Sequence, residues 1–294
     1  MAMTSARLPP ARVGDAIASL ARRLTRAGLA YGHGTDNPVD DAAALVFHAG
    51  ALRHADAPAA YDARLDLTQR RYLRTLVRRR IEERVPSAYL TGVTWFAGHE
   101  MRVDSRVLVP RSPIAELIVA QFQPFIATRQ VRRIVDIGTG SGCIAIACAL
   151  AFPDAVVDAS DVSAEALLVA RENIALHGLQ GRVRPVLADV YEGLPEGRYD
   201  IIVSNPPYVP TADVAALPAE YHHEPALGLD SGPEGLAHVR RLLAGREARL
   251  APGGILVVEV GDTDEAVARA WPDLPFLWLD FEHGGGGVFL LRME

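Results

Sequence analysis

The sequence predicts an α/β protein with a doubly wound, mostly parallel sheet and a small helical domain in front of it. From residue 132 onward, short apolar runs alternate with helical segments, a pattern typical of parallel sheets. Residues 13 to about 90 show helical periodicity and no strand-like alternation. The last two apolar runs are joined by the link HGGGG at 283–287, which favours a hairpin and an antiparallel edge strand.

Seven strands are predicted for the sheet, at 134–137, 155–159, 183–187, 199–203, 254–260, 274–278 and 288–291. Helices are predicted at 142–152 and 164–177, directly after the first and second strands. Because each helix returns the chain to the same end of the sheet, these strands are expected to run parallel.

Apolar residues at helical spacing predict three N-terminal helices, near 16–29, 42–49 and 69–84. The stretch WFAGHEMRV at 95–103 then predicts a hairpin, and VLV at 107–109 a further short strand. Pro110 and Pro113 mark the entry to the next helix. The predicted domains are therefore a helical domain at 1–90, a hairpin connector at 91–112 and a sheet domain at 113–294.

Composition narrows the class of protein. The chain has 294 residues, of which 49% are hydrophobic and 22% charged, as in a globular protein with a large core. Two cysteines are too few for a disulfide framework or a cysteine zinc site. The longest uncharged apolar stretch, 143–152, is too short to cross a bilayer, and arginines interrupt the N-terminal apolar runs. We therefore expect no membrane association, no metal site and a location in the bacterial cytoplasm.

Charge is distributed unevenly along the chain. Residues 1–90 carry 14 arginines and 9 acidic residues, net +5, whereas residues 91–294 carry 16 and 27, net −11. The acidic second region argues against broad docking on nucleic-acid phosphates. Helix 69–84 concentrates the positive charge, with arginines at 70, 71, 74, 78, 79 and 80 around its apolar face. They form either a solvated face or a contact surface for an acidic or RNA-bearing partner, and the sequence leaves both open.

A glycine-rich turn, VDIGTGSGC at 135–143, follows the first strand of the sheet. Gly138, Gly140 and Gly142 permit a tight turn and a close approach of the backbone to a ligand. A nicotinamide-binding enzyme would have the spacing GxGxxG, but here the third glycine comes one residue early and Cys143 takes its place. A nucleoside carrying a cationic sulfonium fits better, because Asp136 stands at the strand tip.

Aspartates stand at the ends of the first three strands. Asp161 ends the second strand, where it can bind ribose hydroxyls, and Asp189 ends the third, within reach of an adenine edge. Any one of them could be a helix cap, Asp161 in particular. Three at the carboxyl edge of one sheet indicate a ligand site. The predicted cofactor is S-adenosylmethionine, bound by Asp136, Gly138, Thr139, Gly140, Gly142, Asp161 and Asp189.

The fourth strand ends in VSNPPYVP at 203–210. Proline has no N–H to give to a sheet, so Pro206 and Pro207 must follow the strand end. A planar NH2 group, as in a carboxamide or an exocyclic amine, would donate its two N–H groups to the Asn205 side-chain oxygen and the Pro206 carbonyl. Tyr208 offers a flat face to the same group. Catalysis would then depend on orientation and charge placement, without a strong base or a metal ion.

The motifs resemble a known family. NPPY after a strand, with GTGSG upstream, is similar to class I methyltransferases that modify planar NH2 groups. YLTG and WFAGHE within 89–100, RVLVPRSPIAELI at 106–118 and LPAEYHHEPALGLDSGPEGL at 217–236 narrow the resemblance to the HemK/Prm protein-glutamine methyltransferases. Members that act on release factors usually carry PRPDTE or PRPETE after the connector. This chain has PRSPIAE at 110–116 instead, which resembles the PrmB type.

The resemblance implies S-adenosylmethionine as methyl donor and a glutamine of large-subunit ribosomal protein L-three as acceptor. By the same resemblance Asn205, Pro206 and Tyr208 are catalytic, and with Pro207 they bind the glutamine amide. The helical domain would bind the protein substrate. Contact with ribosomal RNA through its arginine-rich helix is an expectation that rests on the positive charge of that helix and not on the resemblance. Residues 210–234, rich in proline and glycine, would form a substrate-binding loop.

Several alternatives stay open. Release factors are an alternative acceptor for the same reaction. An exocyclic amine of a nucleic-acid base is another, although it would require a basic target-recognition surface. A non-catalytic assembly factor is a third, against which the intact NPPY motif argues. Glu224 and Pro225 are either contact residues or simple punctuation of the loop, and His222 and His223 are expected to be ordinary loop residues.

Overall fold

The computed structural model describes residues 8–53, 56–282 and 284–294. The first residues of the predicted helical domain, 1–7, and His283 of the predicted glycine link lie outside this range. The chain divides into two compact units. The first contains the residues up to Val93 together with Pro218–His223, and the second contains Thr94–Leu217 and Glu224–Glu294. Among the residues described, no helix is long and apolar enough to cross a membrane.

The first unit is helical, as predicted, with α1 (Val13–Ala27), α2 (Pro38–Gly50), α3 (Ala57–Ala60), α4 (Leu67–Glu82) and α5 (Ser87–Thr91). Helix α2 begins after Asn37, whose side chain accepts hydrogen bonds from the first free backbone N–H groups. Helix α4 begins with a capping box formed by Asp66 and Gln69. The apolar faces of these helices form one core, in which Leu24, Leu45 and Leu73 are fully buried.

Arg80 corrects the predicted surface of α4. It was assigned to the charged outer face, but its side chain is 2% exposed. Its Nε donates to the Asp41 carboxylate at 2.8 Å, and one terminal nitrogen donates to the Glu220 carboxylate at 3.2 Å. The other terminal nitrogen donates to the Ala30 carbonyl at 3.0 Å. A buried guanidinium needs such partners, because an unpaired charge in the interior is costly. Helical periodicity places Arg80 on the charged face of α4, but it does not show that Asp41 and Glu220, which are distant in sequence, cover this residue.

The second unit opens with the predicted hairpin, β1 (Val93–Phe96) and β2 (His99–Arg102). Asn173 binds the end of β2, since its side-chain amide accepts from the Arg102 N–H and donates to the Arg102 carbonyl. The further strand predicted at 107–109 is wrong. The Val109 N–H donates to the Glu224 carboxylate at 3.0 Å, so a side chain takes the place of a neighbouring strand.

The remaining elements are α6 (Ile114–Val119), β3 (Arg133–Ile137), α7 (Cys143–Ala151), β4 (Val156–Asp161), α8 (Ala164–Leu176), β5 (Val183–Leu187), β6 (Tyr199–Ser204), α9 (Thr211–Val214), α10 (Ala237–Arg249), β7 (Leu250–Glu259), α11 (Asp264–Ala270), β8 (Leu277–Leu279) and β9 (Val288–Arg292). The seven predicted strands and the helices α6, α7 and α8 are confirmed. Helices α9, α10 and α11 are additional to the prediction, and in the described residues 188–198 no helix separates β5 from β6. Strands β3 to β9 form a seven-stranded sheet in the order β5-β4-β3-β6-β7-β9-β8, separate from the two-stranded hairpin of β1 and β2. Apolar layers cover both faces of this sheet, as a doubly wound fold requires.

The five neighbouring strands β5, β4, β3, β6 and β7 run parallel to one another. Strand β9 pairs antiparallel with both β7 and β8. The predicted antiparallel last strand, and the predicted antiparallel edge formed by the last two strands, are therefore confirmed. The short strand β8 forms the edge, and β9 lies inside the sheet with Phe289 and Val288 fully buried. Because the other strands run parallel, their carboxyl ends meet along one edge.

The substitution Arg80→Met should destabilise the first unit, because it leaves the buried Asp41 carboxylate without its cation and leaves Glu220 with the more distant Arg84, at 3.5 Å. Loss of one partner from a buried ion pair typically costs about 3–5 kcal/mol. Urea unfolding followed by circular dichroism measures the change in the free energy of unfolding. Arg74→Ala, an exposed arginine on the same helix, is the matched control and should change that free energy by less than about 0.5 kcal/mol. Equal effects of the two substitutions would contradict the structural role of Arg80.

Candidate active site

A cleft of about 810 Å³, open at its mouth, lies at the carboxyl edge of the sheet. The cleft is lined by residues of the predicted cofactor and substrate sites, namely Gly138, Gly140, Asp161, Asp189, Asn205, Pro206 and Pro207. Four other predicted residues do not belong to its lining: Asp136, Thr139, Gly142 and Tyr208. The structure thus brings the two predicted sites together in one cleft of the second unit.

The glycine turn has the conformation that its sequence predicts. Gly138, Gly140 and Gly142 have φ angles of +75°, +54° and +83°, in the left-handed region that favours glycine. The N–H groups of Gly138 and Thr139 both donate to the Ser160 carbonyl, at 2.9 and 2.8 Å. These bonds fix the turn to the end of β4. A side chain at Gly142 would approach Ala170 to 3.3 Å, so that glycine serves close packing against α8.

Asp136 lies buried beneath the turn. One carboxylate oxygen accepts from the Thr139 hydroxyl at 2.5 Å and from the Ala145 N–H at 3.1 Å. The other oxygen, Oδ1, has no hydrogen-bond partner among the described residues. Burial raises the pKa of Asp136 to about 7. The side chain therefore holds Thr139 and the first turn of α7 in place, and it leaves one buried acceptor unsatisfied below the cleft.

Asp161 is the final residue of β4 and borders the cleft. Its carboxylate accepts from the Gly140 N–H at 2.9 Å and from the Ser163 N–H at 2.8 Å. Burial raises its pKa. The cap of α8 is Ser163, whose hydroxyl accepts from the Ala166 N–H. The Asp161 carboxylate thus supports the turn by accepting from two backbone N–H groups. Its oxygens retain further lone pairs that can accept from a ligand in the cleft.

Asp189 lies just after β5 and is exposed. Its carboxylate accepts from Arg241 at 2.6 Å, and this hydrogen bond lowers the pKa of Asp189. The carboxylate is therefore ionised at neutral pH, with part of its accepting capacity taken by the guanidinium.

The NPPY segment leaves the end of β6 and reaches the glycine turn. A Cβ added at Gly138 would lie 4.0 Å from the Asn205 carbonyl oxygen, so the two segments are neighbours. Pro206 is buried, whereas Asn205 and Tyr208 are half-buried. Gly261, with φ of +49°, packs against the Tyr208 ring, and a Cβ there would meet Tyr208 Cε2 at 2.6 Å. The aromatic ring is therefore held in place by a glycine that has no room for a side chain.

Glu259 is a site residue that the sequence analysis misses. It ends β7, is 5% exposed, and accepts from the Ser112 hydroxyl at 2.5 Å. It also accepts hydrogen bonds from the side chains of Tyr208 and Asn205. An acidic residue inside the apolar run ILVVEV, at the carboxyl end of a predicted strand, was the available signal. The rule that located the three aspartates applies equally to this fifth strand.

Glu224 has a contact role. Its two carboxylate oxygens accept from Arg111 at 2.6 and 2.7 Å, and one of them also accepts from the Val109 N–H. Glu224 thereby ties the loop to the connector, and the following residues Pro225, Leu227 and Gly228 line the cleft. The predicted substrate-binding loop is not one piece, since Pro218–His223 belongs to the helical unit.

One histidine of this loop, His223, contacts the helical unit through its side chain. His223 Nε2 lies 2.7 Å from the Glu83 carbonyl oxygen. In the part of the chain that the structure describes, no three His, Cys, Asp or Glu side chains are grouped to hold a metal ion.

A family model and a solved structure indicate the class of protein to which the chain belongs. Residues 115–220, which include the glycine turn and NPPY, match the family model "Methyltransferase small domain". The hMettl16 catalytic domain, solved in complex with the MAT2A 3′UTR hairpin 1, shares the fold with a TM-score of 0.51 at 17% identity. That alignment covers 77% of this chain and 80% of the other. The likeness to that catalytic domain shows the fold, and the family model shows a methyltransferase small domain within residues 115–220.

Two curated relatives define the family. The chain is 46% identical, over 95% of its length, to the ribosomal protein uL3 glutamine methyltransferase of Bordetella pertussis (strain Tohama I), covering 94% of that relative. It is also 46% identical, again over 95% of its length, to the protein of the same name from Xylella fastidiosa (strain 9a5c), covering 89% of it. The chain belongs to the ribosomal protein uL3 glutamine methyltransferase family, which confirms the resemblance to the PrmB type.

Gly261→Ala should slow methyl transfer, because the added methyl group displaces the Tyr208 ring. A misplacement of about 1 Å at a reacting group costs on the order of 10²-fold in rate. The rate of methyl transfer to a glutamine-bearing protein substrate measures the effect. Gly253→Ala is the matched control, since Gly253 also has a positive φ of +74° but a Cβ there meets nothing within 4 Å. If both variants lose the same activity, backbone strain and not the contact with Tyr208 explains the loss.

Proposed function

We propose that the protein transfers a methyl group from S-adenosylmethionine to the side-chain amide nitrogen of a glutamine in ribosomal protein uL3. One observation carries the proposal: Asn205-Pro206-Pro207-Tyr208 leaves β6 beside the glycine turn and Asp161, with Asn205 and both prolines on the same cleft. Membership of the uL3 glutamine methyltransferase family supports the choice of acceptor. Those relatives come from bacteria, and their names state a ribosomal protein as substrate. We therefore place the reaction in the bacterial cytoplasm.

The residues at the turn fit S-adenosylmethionine. A Cβ at Gly140 would meet nothing within 4 Å, so the backbone there is open to a ligand. The cofactor is cationic at its sulfonium, and the unsatisfied oxygen of Asp136 adds negative potential below the turn. Gly138, Gly140, Asp161 and Asp189 would hold the cofactor from the cleft wall. The turn itself would be shaped and charged by three residues outside the cleft lining, Asp136, Thr139 and Gly142, which would therefore affect cofactor binding indirectly.

When bound, S-adenosylmethionine supplies an electrophilic methyl group. The task of the protein is to orient a weak nucleophile, because the lone pair of a carboxamide nitrogen is delocalised into the carbonyl. The Asn205 oxygen and the Pro206 carbonyl accept the two N–H groups of the glutamine amide. Two such bonds draw the nitrogen toward tetrahedral geometry and direct its lone pair at the methyl carbon. Tyr208 supports the planar amide from one side.

Recognition of the protein substrate is assigned to the helical unit and to the parts of the 210–234 loop that line the cleft. For contact with ribosomal RNA, the exposed arginines Arg71 and Arg74 of α4 supply the positive charge. The basic surface is narrower than the sequence suggests. Arg78 and Arg79 both pair with Glu83, at 2.6 and 3.3 Å, and Arg80 is buried.

Asn205→Ala should retain cofactor binding and lose roughly 10²–10³ in kcat, as when one preorganised polar group is removed from an active site. The reason is that the glutamine amide loses the acceptor for one of its N–H groups. Single-turnover methylation of uL3 measures the rate, and calorimetry with S-adenosylmethionine measures the affinity. A normal kcat would refute the role of Asn205 in holding the amide.

Asp161→Ala should chiefly weaken the affinity for S-adenosylmethionine. A charge-assisted hydrogen bond contributes about 1.5–3 kcal/mol, so the expected rise in Kd is on the order of 10- to 100-fold. Calorimetric titration measures it directly. Asp154→Ala is the control. That residue precedes the first residue of β4, whereas Asp161 is its last, and the Asp154 side chain is 77% exposed. An unchanged Kd for Asp161→Ala would remove the ribose assignment.

A further inference from the structure

Glu259 lies at the centre of the hydrogen bonds that hold the NPPY segment. β6 and β7 pair in parallel with Ser204 opposite Val258, so Asn205 and Glu259 leave the sheet side by side. Ser112, Tyr208 and Asn205 all donate to this one carboxylate. Ser112 and Glu259 are both buried, at 8% and 5% exposure, so the hydrogen bond between them is shielded from solvent. No substrate or cofactor role is assigned to Glu259 by the mechanism above.

The chemistry of this contact determines which end of the Asn205 amide faces the cleft. An ionised carboxylate can only accept hydrogen bonds, so its partner on Asn205 must be the NH2 group. The Asn205 oxygen is then the end left for the substrate. The opposite orientation would present an NH2 group to the NH2 group of glutamine, and two donors cannot pair. The acceptor needed for methyl transfer therefore depends on a residue that does not touch the substrate.

We propose that Glu259 is a positioning residue for methyl transfer: its carboxylate binds the Asn205 NH2 group and so directs the Asn205 oxygen toward the glutamine amide. This inference rests on the proposed function. Through Tyr208 the same carboxylate fixes the second side chain of the segment, and through Ser112 it joins the segment to the connector.

The ionisation of Glu259 gives the proposal a pH signature. Burial raises the pKa of Glu259 to about 7, partly opposed by the hydrogen bond from Ser112 and by the positive charge of Arg111. Arg111 is itself paired with Glu224, and Tyr208 is a further titratable group that contacts Glu259. Only the ionised form accepts all three hydrogen bonds. Activity should therefore be half-maximal near pH 7, rise above that value and fall below it.

The test compares the pH profiles of kcat in wild-type protein and in Glu259→Gln, an isosteric variant that cannot ionise. We expect kcat to fall about 10- to 100-fold, the range seen when a group that orients a functional ligand is removed. Burial also raises the pKa of Asp136 to about 7, so the rates are measured at saturating S-adenosylmethionine, where the effect of Asp136 on cofactor affinity does not enter. The acidic limb near pH 7 should then disappear, and the affinity for S-adenosylmethionine should stay unchanged. Ser112→Ala removes a donor to the ionised form, so its acidic limb should move to higher pH. Glu265→Gln, an exposed glutamate on α11, is the control and should keep the wild-type profile.

A readout independent of activity uses protein labelled with ¹³C at the glutamate side-chain carboxyl. The resonance missing from Glu259→Gln identifies Glu259, and it should titrate near pH 7 and not near the ordinary value of about 4.3. Titration at the ordinary value, or a variant with wild-type kcat and an unchanged acidic limb, would overturn the proposal. If the wild-type protein methylates no glutamine at all, the proposed function fails instead. The carboxyl titration separates that outcome from a failure of the Glu259 inference.

Discussion

The parallel pairing of β3 with β4 and β6 is the constraint on which the rest of the structure depends. Ile137 lies opposite Ser160 on one side and Ser204 on the other. The glycine turn, Asp161 and the NPPY segment therefore leave the sheet at the same edge and at the same height. A one-residue slip of register would move every side chain of a strand to the opposite face. The burial of both faces of this sheet thus also fixes the geometry of the site.

The site consists mainly of oxygen acceptors that are held by donors from the protein. The Asp136 carboxylate is held by Thr139 and the first turn of α7, and the Glu259 carboxylate by three side chains. Burial of each carboxylate is unfavourable by itself and raises its pKa to about 7. The surrounding hydrogen bonds and the apolar layers offset that cost. In return the acceptors are oriented before a substrate arrives, which is how an electrostatically preorganised site accelerates a reaction.

Much of the fold and part of the site could be predicted from the sequence, because both follow from local patterns. Alternating strands and helices predict the sheet, and polar residues at strand ends locate Asp161 and Asn205 on the cleft. Glu259 was missed because it lies within an apolar run, and only the pairing of β7 with β6 shows its neighbours. Arg80 was misplaced because its partner Glu220 lies 140 positions away. The position of β9 inside the sheet likewise depends on long-range pairing.

The most direct test of the central claim uses S-adenosylmethionine labelled in its methyl group, offered in parallel reactions with uL3, release factors and ribosomal RNA. The account predicts label on uL3, which mass spectrometry should map to one glutamine side chain. Label on release factors alone would keep the amide-binding role of NPPY and contradict the substrate inferred from the family. Label on RNA alone would contradict the central claim, because the cleft would then orient a base amine and not a glutamine amide.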